Sequence, residues 1–232
     1  MTAIAPLPAH KPAVVGANSS SAYSVAVLIS GNGGNLQALI DAQAAGRLGC
    51  ARIAHVISNQ FAAYGIQRAQ TACIAVHLHS LKAFCGGLKS TPAQRLAFDA
   101  ELAAALNAMK PDLIVLAGWM HIFSPAFLDR IQAKVINLHP ALPGAFAGAH
   151  AIDDAFAAFQ AGQIAETGCM VHEVIAEVDA GRVLGSQRLA LHPQDTAESI
   201  KQRMSVLEHA LIVQVVRDLS LNLTSKNNVK KP

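Results

Sequence analysis

The sequence predicts an α/β protein: a mostly parallel, twisted sheet with helices on both faces and an antiparallel C-terminal extension of that sheet. Three observations support this class. Short β-branched apolar runs alternate with helical patterns as far as residue 161, and a glycine-rich turn, Ser30–Asn35, directly follows the first run. Two longer strand patterns then follow each other with no helix between them. Alternating β and α units form parallel sheets with right-handed crossovers, whereas directly successive strands pair antiparallel.

Each predicted element rests on its own local pattern. Runs of β-branched and apolar residues predict strands at 24–29, 52–57, 74–78, 113–116 and 135–138. Apolar residues at helical spacing predict helices at 36–45, 62–70, 92–109, 125–132 and 152–161. Pro92 and Pro125 suit the first turns of their helices, where a backbone N–H has no intrahelical partner anyway. The antiparallel part comprises strands at 169–174 and 182–191, and a helix over 196–219 closes the domain.

One domain accounts for the chain, because 232 residues are enough to bury about 70% of the unfolded surface. We expect this domain to span 23–219. Residues 1–22 contain three prolines and a serine run but no acidic residue, and 220–232 are polar and lysine-bearing. Both ends are therefore expected to be disordered tails.

The composition excludes several classes of protein. Hydrophobic residues make up 52% and charged residues 14%, which is typical of a well-filled globular chain. A net charge of +3 is too small to favour nucleic acid, and no apolar run is long enough to span a membrane, so we expect neither partner. The four cysteines show no C-x-x-C spacing, which argues against a zinc site and a redox motif. We expect a cytoplasmic location, with organelle import through residues 1–22 as an alternative.

The turn after the first strand has the composition of an anion-binding loop. Gly31, Gly33 and Gly34 let an anion approach the backbone, and the following helix directs its N–H groups towards it. A dinucleotide loop needs a third glycine where Leu36 stands, and no Gly-Lys-Ser/Thr follows as in a triphosphate loop. A phosphomonoester is the anion that remains, with Asn35 as a side-chain donor. The alternative is a tight turn without a ligand.

A polar pair lies at the end of the fifth predicted strand. Asn137 and His139 flank Leu138, so the alternation of a strand directs both side chains to one side. An amide donor can stabilise a developing oxyanion, and an imidazole can move a proton near neutral pH. The alternative is that both side chains only satisfy loop backbone groups.

A third cluster lies between the two longer strand patterns. His172 falls in a strand, and Asp179 stands in a Val-Asp-Ala-Gly turn. Considered alone, Asp179 is best interpreted as a turn former.

Together, these clusters resemble the phosphoribosylglycinamide formyltransferase family from residue 25 to 219. Five segments carry the resemblance, in the family's order and at about its spacing: "LISGNGGNLQALIDA", "VISNQFAAYGIQRA", "LAGWMHIFSPAFL", "NLHPALPG" and "VHEVIAEVDAG". The resemblance implies a Rossmann-like half, 23–123, that binds the phosphoribosyl amine, and a half, 124–219, that carries the catalytic residues and completes the folate cleft.

The resemblance also implies roles for individual residues. The catalytic trio is Asn137, His139 and Asp179, with His172 as a supporting residue. The implied binding residues are Gly33, Gly34 and Asn35 for phosphate, Glu208 for the ribose hydroxyls, Met120, His121, Ile122 and Phe123 for the pteridine, and Arg95 for the folate glutamate tail. Four positions depart from the family pattern, at Gly34, His121, Ala147 and Met170.

The implied activity is transfer of a formyl group from the co-substrate 10-formyltetrahydrofolate to the amine of 5'-phosphoribosylglycinamide, in de novo purine biosynthesis. We expect no metal, because the amine is already nucleophilic. These two small molecules are the expected partners of a monomer or homodimer. The alternatives are a formyltetrahydrofolate hydrolase, a tRNA formyltransferase, and a non-catalytic sensor of a phosphate ligand. The first two families carry further domains for which this chain has little room, and a sensor has no use for the trio.

Overall fold

The computed structural model describes residues 22–228, and side chains as far as residue 222. The elements in chain order are β1 (Tyr23–Ile29), α1 (Gly34–Ala44), β2 (Ala51–Ser58), α2 (Gly65–Thr71), β3 (Ala75–Leu78), α3 (Leu81–Phe84), α4 (Pro92–Met109), β4 (Leu113–Leu116), α5 (Pro125–Leu128), β5 (Lys134–His139), α6 (Ala151–Gln160), β6 (Glu166–Glu173), β7 (Val183–Ala190) and α7 (Ala197–Asn228).

The seven strands form one sheet in the order β3-β2-β1-β4-β5-β6-β7. The strands β1 to β5 pair in parallel, while β6 pairs antiparallel with β5 and β7 pairs antiparallel with β6. The predicted fold class, including its antiparallel extension, is therefore confirmed.

Helices cover both faces of the sheet because its central strands are apolar on both sides. In β1, Val25, Val27 and Ile29 are fully buried in the core cluster that includes residues of α1 and α7. Ala26 and Leu28 are fully buried in the opposite cluster, with residues of α4. Such two-sided burial is typical of parallel sheets. Within the described residues, no helix is long and apolar enough to cross a membrane.

Two predicted helices differ from the observed ones. The helix predicted over 125–132 ends at Leu128. The chain after it is held by α4 instead, since the Asn107 side chain donates to the carbonyl of Arg130 and accepts from the N–H of Gln132. The last helix continues to Asn228, so 220–228 is helical and not the disordered tail that was predicted. The remaining tail residues, 1–21 and 229–232, lie outside the described residues.

The sheet order creates a crevice at the carboxyl ends of the strands. From β1 the chain moves outward through β2 and β3, and it then returns to build β4 and β5 on the other side of β1. Ligands of such sheets bind where the order reverses, here between β1 and β4. With neighbouring strands about 4.8 Å apart, the ends of β1 and β5 are about 10 Å apart along this edge.

Candidate active site

Strand β5 positions the polar pair. Asn137 and His139 project to the same side, opposite His172 and Met170 of β6 in the ladder. His139 is buried with 4% of its surface exposed, while Asn137 is half-buried. A histidine buried at a strand end needs partners for both ring nitrogens.

Asp179 supplies one of these partners from the turn between β6 and β7. Its backbone has a φ of 54°, the left-handed region that few non-glycine residues adopt. Its Oδ2 accepts a hydrogen bond from the N–H of Gly148 at 2.9 Å and lies 3.4 Å from Nδ1 of His139. Its Oδ1 accepts from Nδ2 of Asn137 at 3.2 Å. Asp179 therefore contacts both Asn137 and His139, which joins the members of the predicted trio from two separate sequence segments.

The charge state of Asp179 follows from these contacts. Burial opposes its ionisation, but the hydrogen bond with His172, the Gly148 N–H and the nearby His139 together outweigh burial and hold its pKa below the ordinary 3.8. Asp179 is therefore a carboxylate at neutral pH.

The environment of His139 defines its hydrogen-bonding roles. Its Nε2 lies 3.0 Å from the carbonyl oxygen of Phe146, which only accepts, so this nitrogen carries a proton and donates. Its Nδ1 faces the Asp179 carboxylate. Both ring nitrogens therefore face hydrogen-bond acceptors.

His172 completes the cluster. Its Nδ1 donates to the carbonyl oxygen of Glu173 at 2.9 Å. Its Nε2 lies 3.2 Å from Nδ2 of Asn137 and 3.3 Å from Oδ1 of Asp179. This ring therefore fixes the amide and the carboxylate relative to each other, as a supporting residue would.

The cluster forms the polar end of a cavity of about 250 Å³. Asn137, His139, His172 and Asp179 all line it. Its other walls are largely apolar and come from the loop after β4, the end of α5 and the turn before Asp179; they include Met120, Ile122, Phe123, Leu128, Ile175 and Val178. The predicted pteridine segment and the predicted trio thus share one cavity. An apolar pocket with a few convergent polar groups is typical of a small-molecule site.

The loop after β4 is anchored by two residues that the sequence did not single out for this role. Asp99 of α4 is buried, and its carboxylate contacts Nε2 of His121 at 2.7 Å and accepts from the N–H of Ser124 at 2.8 Å. Ser30 accepts from the N–H of Met120 at 2.8 Å. The signal for Asp99 was present: an acidic residue directly after Phe98 on the buried side of a helix needs a partner.

His121 and Arg95 are placed differently from the other predicted folate residues. Although His121 lines the cavity, its ring is engaged by Asp99, and its side chain is 8% exposed. Arg95 lies exposed on the first turn of α4, where its Nε donates to Ser90 at 3.2 Å. Arg95 is not among the described residues that line the cavity of Asn137, His139 and Asp179.

Packing within the protein, and not only a ligand, requires glycine in the loop after β1. Gly33 caps α1 with a φ of 72°, and a Cβ on it would lie 2.8 Å from the Cα of Gly65. Part of the demand for glycine therefore comes from α2, which packs against this backbone. Gly34 faces the other way, towards Nε2 of His209, which would lie 3.2 Å from an added Cβ.

Asn35 joins the loop to the last helix. Its Nδ2 donates to Oε2 of Glu208 at 3.4 Å, while its Oδ1 is buried and has no hydrogen-bond partner among the described residues. Burial raises the pKa of Glu208, and the hydrogen bond from Asn35 partly offsets this shift. The two predicted substrate residues are thus brought together across the chain.

The glycine loop and the trio do not line the same cavity. Gly34 lies on a separate open groove of about 1220 Å³ between α1 and α7, which also includes Arg47, Arg68 and His209. The two sites share the carboxyl edge of the sheet and are connected there through β1, β4 and β5. In the described part of the chain, no three His, Cys, Asp or Glu side chains are grouped as metal ligands would be.

Comparison with known proteins agrees with this architecture. The profile of the family described as "Formyl transferase" matches residues 23–216. The phosphoribosylglycinamide formyltransferase of Schizosaccharomyces pombe is 44% identical over 200 residues, covering 84% of this chain and 96% of that protein. The chain belongs to the phosphoribosylglycinamide formyltransferase family. The family's Escherichia coli member is 36% identical over 194 residues, covering 83% of this chain and 85% of that protein.

Solved structures of the family share the fold. Glycinamide ribonucleotide transformylase 1 from Symbiobacterium toebii superposes with a TM-score of 0.77 at 32% identity, covering 88% of this chain and 90% of that chain. The phosphoribosylglycinamide formyltransferase from Coxiella burnetii, in complex with CHES, superposes with a TM-score of 0.75 at 36% identity, covering 86% of this chain and 87% of that chain. The protein is therefore an enzyme of formyl-group transfer with the family's Rossmann-like sheet.

Proposed function

We propose that the protein transfers the formyl group of 10-formyltetrahydrofolate to the amine of 5'-phosphoribosylglycinamide. The observation that carries this proposal is that Asp179 contacts both Asn137 and His139 in the lining of a largely apolar cavity. An amide, an imidazole and a carboxylate are the groups that an acyl transfer between two nitrogens requires: a donor for the oxyanion and a route for the proton.

Asn137 stabilises the charge that develops on the formyl oxygen. When the amine attacks, the formyl carbon becomes tetrahedral and its oxygen becomes negative. One N–H of the Asn137 amide is directed to Asp179, which leaves its second N–H for the formyl oxygen. Such a donor contributes about 10²–10³ to the rate. His139, when it is protonated, adds a positive charge beside the same oxygen.

Asp179 and His139 assist the transfer of the proton from the attacking amine to the folate nitrogen. The attacking amine must lose a proton, and the folate nitrogen that leaves must gain one. The carboxylate of Asp179 orients a water that carries this proton, and it balances the charge of His139 at 3.4 Å. The C–N bond to the folate nitrogen breaks as the bond to the amine forms, and the proton that the amine loses is the one that the folate nitrogen gains.

The substrates are held by the groups on either side of the trio. The apolar walls at Met120, Ile122 and Phe123 suit a flat ring system. Because the cavity is smaller than the roughly 300–1,000 Å³ usual for a whole ligand, it holds the ring end while the rest of the folate extends outside it. The N–H groups at the start of α1 bind the phosphate. The half-buried Glu208 accepts from the ribose hydroxyls, oriented by Asn35.

The experiment that tests this proposal is an absorbance assay of the loss of formyl-folate. Phosphoribosylglycinamide should produce tetrahydrofolate and the formylated amine in equal amounts. Formate release with water as the acceptor would point to a hydrolase, and formylation of a charged tRNA would point to a tRNA enzyme. If none of the three acceptors supports turnover while phosphate ligands still bind, the sensor alternative is correct.

A further inference from the structure

Helix α2 packs against the outer side of the glycine loop. The N–H of Gly65 donates to the carbonyl of Gly31 at 3.1 Å, and a Cβ on Gly33 would lie 2.8 Å from the Cα of Gly65. Gly34 of the loop and Arg68 of this helix line the same groove. A change in α2 is therefore transmitted directly to the loop backbone.

Arg68 of α2 connects the loop to the first turn of α1. Its Nε donates to the carbonyl oxygen of Asn32 at 2.8 Å, and its Nη2 reaches Oδ1 of the same residue at 3.4 Å. Its Nη1 donates to Oε1 of Gln37 at 3.1 Å. The guanidinium also stacks over the ring of Tyr64, 4.8 Å from the ring centre. All three nitrogens of the guanidinium group are thus engaged.

The glycine loop needs contacts from outside, because its own residues restrict its backbone conformation only weakly. Gly33 caps α1 without a side-chain hydrogen bond. Three glycines in four positions leave the loop with many backbone conformations in the absence of external contacts. Gln37 is itself fixed, since its Nε2 donates to Asp41 at 2.8 Å. Arg68 therefore joins Asn32 to a rigid helix.

We infer that Arg68 is a positioning residue: it holds Asn32 and thereby aligns the N–H groups of Gly33, Gly34 and Asn35 for the phosphate of the amine substrate. This inference rests on the proposed function. The fork of the guanidinium, and not its charge alone, carries the effect, because a lysine ammonium cannot reach Asn32 and Gln37 in the same fixed geometry.

The positive charge of Arg68 also affects His209 on the opposite side of the groove. Burial and the charge of Arg68 lower the pKa of His209 on α7, and Asp41 opposes them. A simpler role, plain attraction of the phosphate, has to be separated from positioning. Arg68→Lys keeps the charge and loses the fork, whereas Arg68→Met loses both. Arg47, exposed on the same groove after α1, provides a matched control for loss of charge.

The test compares Arg68→Lys, Arg68→Met and Arg47→Met in the full-length enzyme. We expect the KM for phosphoribosylglycinamide to rise about tenfold or more in both Arg68 variants, since hydrogen bonds from a charged group are lost. The kcat at saturation and the KM for formyl-folate should stay within about twofold of the wild type, and Arg47→Met should change the amine KM less than threefold, roughly the effect of one exposed charge. A wild-type amine KM in Arg68→Lys would overturn the positioning role.

Hydrogen exchange provides a readout that does not depend on the substrate. The amides of Gly33, Gly34 and Asn35 should exchange faster in Arg68→Lys than in the wild type, while amides in β4 and β5 should be unchanged. Equal exchange at the loop would contradict the inference even if KM changed. If the wild type fails to use phosphoribosylglycinamide, the proposed function fails, and faster loop exchange would still support the role of Arg68. Should Arg68→Met not fold, Gln37→Met removes one of the same hydrogen bonds and should show the same exchange pattern.

Discussion

Nδ1 of His139 lies 3.4 Å from Oδ2 of Asp179, while Nε2 of the same ring lies 3.0 Å from the carbonyl oxygen of Phe146. The imidazole is therefore held between a carboxylate and a backbone acceptor. Phe146 adopts a φ of 45° and Asp179 a φ of 54°, so both acceptors come from residues in the left-handed region. Backbone strain of this kind occurs where the surrounding structure dictates a geometry, and it often marks functional sites.

The first prediction concerns Asp179→Asn. The amide keeps the shape of the side chain and can still accept from Gly148, but it removes the negative charge that faces His139. We expect kcat to fall about 10²–10⁴-fold, the usual contribution of a group that assists proton transfer, and the pH dependence of kcat to change shape. The measurement is a pH–rate profile of formyl transfer.

Glu173→Gln is the matched control for Asp179→Asn. The carboxylate of Glu173 is paired with Arg182 and Lys134, whose hydrogen bonds lower its pKa to about 2, and it does not line the cavity. This variant should keep the rate and the profile of the wild type. A wild-type profile in Asp179→Asn as well would identify Asp179 as a turn residue only.

A second prediction follows from the direction of the Asp179 pKa shift. Because the folded-state pKa lies below the ordinary 3.8, the carboxylate contributes stability that is present above that value and is lost as the pH falls through the folded pKa. The free energy of unfolding of the wild type should therefore decrease more than that of Asp179→Asn between about pH 6 and pH 3. Urea unfolding at both pH values measures this difference. A parallel decrease in both proteins would show that the carboxylate gains nothing on folding.

The third prediction concerns Asn137→Ala. Loss of the amide should lower kcat about 10²–10³-fold, because it removes the oxyanion donor, while both KM values change little. Asn107→Ala is the control, since Asn107 holds the chain after α5 through Arg130 and Gln132. That variant should lower stability and leave kcat unchanged. Near-normal turnover in Asn137→Ala would exclude the oxyanion role.

The fold could be predicted closely where local signals and packing agree. Helix α4 runs over Pro92–Met109 as predicted, with a proline at its start and a side-chain cap from Thr91, and β4 also has its predicted bounds. The errors occur where tertiary contacts override local pattern. Helix α5 ends early because the Asn107 side chain forms hydrogen bonds with the backbone that follows it. The short helix α3, Leu81–Phe84, was not predicted.

The site was predictable in part for a physical reason. Strand alternation alone directs Asn137 and His139 to one side, so local sequence was sufficient for this pair. Asp179 is 40 residues beyond His139. Its local sequence predicted a turn but not the approach of that turn to His139, so only the family resemblance singled Asp179 out. The contact of Gly33 with Gly65 could not be predicted from local sequence either, because it depends on how α2 packs against the loop.

The fourth prediction separates Gly33 from Gly34. Gly33→Ala places a Cβ against the Cα of Gly65 and a non-glycine residue at a φ of 72°, so it should lower the free energy of unfolding by at least about 1–2 kcal/mol. Gly34→Ala meets only the end of the His209 ring, which can shift, and should cost less than about 0.5 kcal/mol. Chemical denaturation measures both values. Equal costs would mean that α2 does not restrict the loop. Gly34 is therefore the better position at which to test phosphate binding without disturbing the fold.

The fifth prediction concerns Asp99, which links α4 to the loop that lines the cavity. Asp99→Ala leaves the ring of His121 and the N–H of Ser124 without their buried acceptor, which should cost about 1–3 kcal/mol for each unpaired group. Since the freed loop carries Met120 and Ile122, the KM for formyl-folate should rise while the KM for the phosphorylated amine stays unchanged. His121→Gln removes only one of the two contacts and should show a smaller rise. If Asp99→Ala raised both KM values equally, the damage would be global, and the specific link between this carboxylate and the folate cavity would be wrong.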